Sequence, residues 1–173
     1  MRTSVDVHNH LVERDIQHEL LPIRGRLRSA ERIAAVLDLP PQVVGKVVVF
    51  ETDRGPVAAL VSSECEADPD RVRGLVRAHE MQEATPARAS QLTEYLAEAI
   101  PPAGLPSEFR IVADATLAGQ EVLYFAGGEA TAILKIRGDD LVAATGAKVA
   151  RIARSGSAPG KASGSGHRRG TRA

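Results

Sequence analysis

Lys46 is the side chain of this sequence best placed to do chemistry. It stands second in Gly45-Lys46-Val47-Val48-Val49-Phe50, a β-branched and aromatic run bounded by Pro40-Pro41 upstream and Asp53-Arg54-Gly55 downstream. The run reads as a buried strand. Side chains alternate faces along a strand, which sends Lys46, Val48 and Phe50 one way and Val47 and Val49 the other. An ammonium at the mouth of such a strand must either reach water along its aliphatic stem or meet an anionic partner, because burying it alone is too costly. Residue 46 by itself fits both readings.

The other reactive side chains form no constellation. His8, His10 and His18 invite a metal reading, but on a helix His8 and His10 lie about 200° apart, and no aspartate or cysteine cluster completes a shell. No metal is expected. Ser62, Ser63 and Cys65 lack a base in any Ser/His/Asp pattern or nucleophile elbow, so capping and structural roles suit them. Cys65 is the one cysteine, which excludes an internal disulfide and a cysteine-based zinc site. His79 is expected to close a helix as a favourable charge at its C-terminus.

Outward along the chain, residues 5–15 carry Val5, Val7, Leu11 and Val12 at helical spacing, and residues 17–23 read as a strand. A basic loop over 24–28 follows, then Ser29 as the cap of a helix through Leu37, ended by Leu39-Pro40-Pro41. Residues 46–52 and 56–63 form a hairpin across Asp53-Arg54-Gly55. Asp68-Pro69 opens a helix facing Val72, Leu75 and Val76 inward, and Thr85-Pro86 opens another through Ala97. Residues 100–106 hold three prolines and can be neither regular helix nor central strand, so they form a stiff ordered loop. Strands are expected at 109–112, 122–126 and 131–136, with a turn at Asp114 and Gly127-Gly128 linking the last two. A helix from Asp139 to Gly146 and a closing segment at 148–152 complete an α+β fold with a mixed, largely antiparallel sheet packed with helices.

At 173 residues and 43% hydrophobic composition the chain fits one domain with a proper core, and at 3% aromatic that core must be chiefly Val, Leu, Ile and Ala. No run approaches a membrane span and the N-terminus shows no signal-peptide pattern, so no membrane partner and a cytoplasmic location are expected. The net charge of zero hides an asymmetry. Residues 154–173 carry five basic side chains and no acidic one, leaving 17 basic and 22 acidic before them, a net of −5. The domain is therefore expected over 1–153, followed by a basic, disordered tail over 154–173. That tail is either a solubilising end or an electrostatic arm for a polyanion.

The series Leu39-Pro40-Pro41, Gly45-Lys46-Val47-Val48-Val49, Tyr95, Ile100-Pro101-Pro102-Ala103-Gly104, Tyr124-Phe125-Ala126-Gly127-Gly128, Asp140-Leu141 and Gly146-Ala147-Lys148-Val149-Ala150 resembles the YbaK and prolyl-tRNA-synthetase-associated editing domain family. The motifs are individually weak, but their order and spacing run in register from about residue 7 to 152. The resemblance implies a trans-acting aminoacyl-tRNA deacylase, which hydrolyses the ester joining a mischarged small amino acid to the tRNA 3′ end, without metal or cofactor. Its partners would be aminoacyl-tRNA and a synthetase, with no DNA. By position, Lys46 resembles the family's functional pocket lysine and Gly127-Gly128 its glycine-rich loop beside the aminoacyl group. Ser29, Phe50, Ala126, Ala99 and Pro101 are the further residues expected to border the pocket. The chemistry is coherent, since ester hydrolysis builds negative charge on the carbonyl oxygen and preorganised donors stabilise it. So is the biology, because a synthetase site separates amino acids one methylene apart by only about 1–3 kcal/mol and needs a second sieve.

One loop departs from the family pattern. Glu94 and Glu98-Ala99 stand where many members carry glycine. If that backbone needs positive φ, Ala99 costs on the order of 1 kcal/mol. Glu98 either faces solvent or sets a carboxylate near the polyanionic tRNA end. The alternative function is therefore a noncatalytic module on the same fold that binds tRNA, a synthetase or a small ligand.

Overall fold

The computed structural model describes residues 1–156. Thr3 starts the first helix, α1 (Ser4–Glu13), through a capping box: its hydroxyl accepts from the Val5 amide while Asp6 takes the Thr3 amide at 2.7 Å. Val7 and Leu11 face the core. β1 (His18–Pro22) follows, then a 3₁₀ turn (Ala30–Arg32) running into α2 (Ile33–Leu37). β2 (Gly45–Thr52) and β3 (Gly55–Ser62) make the hairpin, with Gly55 at φ +99° in its turn. β4 (Cys65–Ala67) leads to α3 (Pro69–Val76), whose N-cap Asp68 accepts from the amides of Asp70 and Arg71. β5 (Met81–Glu83), α4 (Pro86–Thr93), a 3₁₀ turn (Ala97–Ala99), β6 (Arg110–Asp114) and α5 (Ala115–Ala118) come next. β7 (Leu123–Ala126), β8 (Ala132–Ile136), α6 (Gly138–Thr145), β9 (Lys148–Ala150) and β10 (Ala153–Ser155) finish the described chain.

The strands form three sheets, in the orders β1-β8-β7, β10-β4 and β5-β2-β3-β6-β9. β3 to β6 and β6 to β9 are parallel, and the other pairings are antiparallel. The α+β class and the mixed, largely antiparallel pairing expected from the sequence are what the chain adopts, spread over three sheets where one was expected. The pleat of β2 divides the core as its sequence requires. Val47 and Val49 pack on one face with Tyr95, Phe125 and Leu134, while Val48 and Phe50 pack on the other with Val72, Val76 and Ile152. A smaller cluster of Leu27, Ile33, Val44 and Ile133 lies under the 24–32 segment.

Two hydrogen bonds to one carbonyl stiffen the proline-rich loop. Tyr95 Oη donates to the Gly104 carbonyl at 2.8 Å, and Arg2 donates to the same oxygen at 3.0 Å. Several local expectations are corrected. The α3 helix ends at Val76 with Arg77 in the left-handed region, so His79 lies beyond it and its amide donates to the Asp53 carboxylate at 2.9 Å. α4 stops at Thr93 because Glu94 takes φ +66°. The positive φ of that loop thus falls on Glu94, held by Arg2 through a backbone bond and an ion pair at 3.2 Å, and not on Ala99. Val36, on the α2 helix, is 50% exposed. Arg154 and Ser155, placed in the tail by composition, extend β10 against β4. The remainder of the expected tail lies outside the described residues.

Candidate functional site

The site is a gap in the central sheet. β3 pairs with one edge of β2 along its whole length, from Gly45↔Ser62 to Thr52↔Gly55. Along the other edge β5 covers only residues 50–52, and β7 touches only through the bridge between Val44 and Tyr124. Backbone groups alternate between the two edges of a strand. The Val44 carbonyl accepts from Ser63 at 2.8 Å on the β3 side and the Val49 carbonyl from Ala84 at 2.9 Å on the β5 side. By that alternation the Val47 amide and carbonyl face the uncovered stretch, where they have no strand partner among the described residues. A cavity of about 520 Å³ opens there.

Its walls are apolar where β2, α4 and the proline loop meet, with Val47, Val49, Ala89, Ile100 and Ala126 among the lining residues. Its charges stand at Lys46, Arg28, Glu31, Glu83 and Glu98. Lys46 is 20% exposed in its side chain and donates to Glu31 at 3.4 Å. Glu98 accepts from Arg26 at 2.7 Å, and that hydrogen bond holds its carboxyl below the usual carboxylate range. Glu98 is thus an ionised group on the cavity wall. Ser29 stands at the N-cap position before the 3₁₀ turn without making a side-chain cap bond, and it too lines the cavity.

Of the residues expected at the site, the structure brings Lys46, Ser29 and Ala126 together and keeps five others out of the cavity lining. Phe50 shares the Lys46 face of β2 but lies further along the strand, 2% exposed and packed with Val72 and Val76 of α3. Ala99 is fully buried and Pro101 buried. Gly127 and Gly128 are buried as well, and both amides are already spent: Gly127 donates to the Ala132 carbonyl at 2.9 Å and Gly128 to the Ala99 carbonyl at 3.0 Å. The close approach that Gly128 permits is to α1, since a Cβ there would lie 3.1 Å from the Thr3 carbonyl oxygen. Neither glycine of the loop therefore offers a free amide to the cavity.

The remaining reactive groups lie elsewhere. Cys65 borders a separate cavity with Asp114 and Arg151, and burial, with Glu64 behind it, pushes its thiol up. His8 and His18 meet at 2.9 Å on the surface. Among the described residues no three His, Cys, Asp or Glu side chains converge as metal ligands, and no helix is long and apolar enough to cross a membrane.

Glu31, Arg26 and the Val47 edge escaped sequence reasoning. Glu31 carries no motif, and only the turn at 30–32 aims it at Lys46. The free edge of β2 depends on where β5 stops pairing.

This architecture is shared by solved proteins. A hypothetical protein superposes with a TM-score of 0.81 at 24% identity, covering 86% of this chain and 99% of its own. A candidate trans-editing enzyme for prolyl tRNA synthetase superposes at 0.78 and 24% identity, covering 89% and 98%. Residues 25–144 match the aminoacyl-tRNA editing domain, and the chain belongs to that family. Two proline–tRNA ligases are related in sequence. The one from Latilactobacillus sakei is 30% identical over 101 residues, 58% of this chain and 18% of the ligase. The one from Nitratidesulfovibrio vulgaris is 32% identical over 91 residues, 53% of this chain and 16% of the ligase. The chain spans less than a fifth of either ligase.

Proposed function

We propose that this domain is a trans-acting aminoacyl-tRNA deacylase that removes a mischarged small amino acid from the tRNA 3′ end in the cytoplasm, and so serves translation fidelity. The observation that carries the reading is the Lys46 ammonium at the wall of a cavity that opens on an unpaired strand edge. A tRNA-linked ester placed there presents its carbonyl to two donors, Lys46 and the Val47 amide. Water adds to the carbonyl carbon and the oxygen becomes an anion, which those donors stabilise. The bond from carbon to the ribose oxygen then breaks, and that oxygen leaves with a proton that came from the water. The products are the free amino acid and tRNA. No residue of the cavity is assigned as general base, in keeping with a family whose chemistry leans on bound water and the substrate's own groups.

Kinship to proline–tRNA ligases supports tRNA or a synthetase as partner. A solved chain of the same fold, almost wholly covered by this one, is described as a candidate trans-editing enzyme, and that supports action in trans. A small aminoacyl group suits walls built from Ala89, Ala126, Val47 and Ile100. The test is release of free amino acid from small-residue aminoacyl-tRNAs by the purified chain with no synthetase present.

One observation favours the second reading, a noncatalytic binding module. Glu31 already holds the Lys46 ammonium, and Glu83 and Glu98 bring further negative charge to the cavity. Tight tRNA binding without hydrolysis would select that reading.

A further inference from the structure

The segment 24–32 carries Arg24, Arg26, Arg28 and Arg32 against a single acid, Glu31, in a domain whose remaining charge is acidic. All four arginines are exposed. They are nevertheless held by structure, because Leu27 between them is 2% exposed in the cluster with Ile33, Val44 and Ile133, and its amide donates to the Ala130 carbonyl at 2.7 Å. Removing that side chain from water fixes the backbone that displays its neighbours. Arg26, Arg28 and Arg32 surround a shallow concavity of about 230 Å³ floored by Ala35 and Val36. Arg28 lines the main cavity as well, so the two hollows share a wall.

The charges near them are already assigned. Glu31 is turned to Lys46 and Glu98 to Arg26. Among the described residues Arg28 and Arg32 make no ion pair. Guanidinium groups with free planar donors match phosphate oxygens in pairs, more specifically than an ammonium does. We propose that the Arg26, Arg28 and Arg32 concavity holds backbone phosphate of the RNA strand whose aminoacylated 3′ end occupies the adjoining cavity. The identity of the polyanion rests on the deacylase reading; the phosphate chemistry rests on the arginines alone.

The test is equilibrium binding of uncharged tRNA to the whole chain across a salt series. Removing one guanidinium that neutralises a phosphate lowers the slope of log affinity against log salt by about 0.7–0.9. Arg32→Ala is expected to lower it by that amount, Arg32→Glu to weaken binding further, and Arg32→Lys to keep the slope. Arg73→Ala removes a guanidinium paired with Asp70 on α3 and serves as the distant control, with its slope unchanged. Equal slopes for wild type and Arg32→Ala, or an equal reduction in Arg73→Ala, overturn the proposal. The readout needs no hydrolysis, so an Arg32 effect in a protein that deacylates nothing overturns the enzyme reading and upholds the phosphate site.

Discussion

The Lys46 ammonium lies 3.4 Å from the Glu31 carboxylate, on the wall of the cavity where the edge of β2 is left uncovered at Val47. The pair joins a strand to a helical turn, so Glu31 sets where the ammonium points. Glu31 is 54% exposed, and exposed pairs contribute about 0–1 kcal/mol. Glu31→Gln should therefore lower single-turnover deacylation by no more than about five-fold. A reduction as large as that of Lys46→Ala would mean that Glu31 acts on the substrate itself.

The Arg26–Glu98 bridge has a defined pH dependence. Arg26 lowers the carboxyl pKa of folded Glu98 below its ordinary value of 4.5. The pair's contribution is fully present above that value and is lost as pH falls through the lower, folded one. Glu98→Gln should cost at most about 1 kcal/mol at neutral pH, because both side chains are partly exposed. The difference in Tm between variant and wild type should narrow as pH drops below 4.5. A difference that widens on acidification would contradict this account of the bridge.

Glycines at two positions answer to packing. A Cβ on Gly45 would overlap the buried Phe125 ring, and one on Gly128 would crowd Thr3 and Val7 with φ at +93°. Gly45→Ala should destabilise by about 1–3 kcal/mol through overpacking, and Gly128→Ala by about 1–2 kcal/mol from its backbone alone. Denaturant midpoints check both. An unchanged midpoint for Gly128→Ala would return that glycine to a ligand-facing role.

Much of the framework was legible because it rests on local signals. The β2–β3 hairpin follows from two β-branched runs around Asp53-Arg54-Gly55, and α3 from Asp68-Pro69. Lys46 was legible because a charge stands out in an apolar strand. Phe50 was misplaced although its alternation was right, since alternation does not tell where along β2 the cavity ends and the cover of α3 begins. Gly127-Gly128 read as ligand-facing because glycine reports close approach without saying to what, and here it is Ala132 and Leu20 at Gly127 and the N-terminus of α1 at Gly128. The Glu31 and Glu98 ion pairs span 15 and 72 residues, beyond the reach of any local pattern.

Cys65 should behave as a poor nucleophile. Its thiol titrates above the ordinary value through burial and the nearby Glu64 charge. Alkylation by iodoacetamide should lag behind a free cysteine at pH 8, and Cys65→Ser should leave deacylation intact. A rate faster than that of free cysteine would reopen covalent catalysis.

In the proposed reaction Lys46 stabilises the charge formed when an aminoacyl-tRNA ester is hydrolysed. The most direct measurement is deacylation of tRNAs charged with Ala, Cys, Ser or Pro by wild type and Lys46→Ala, with folding of the variant checked by Tm. At least one aminoacyl-tRNA should be hydrolysed by wild type and turned over roughly 10²-fold to 10³-fold more slowly by the folded variant. Equal turnover by the two proteins, or none with any of the four substrates, would contradict it.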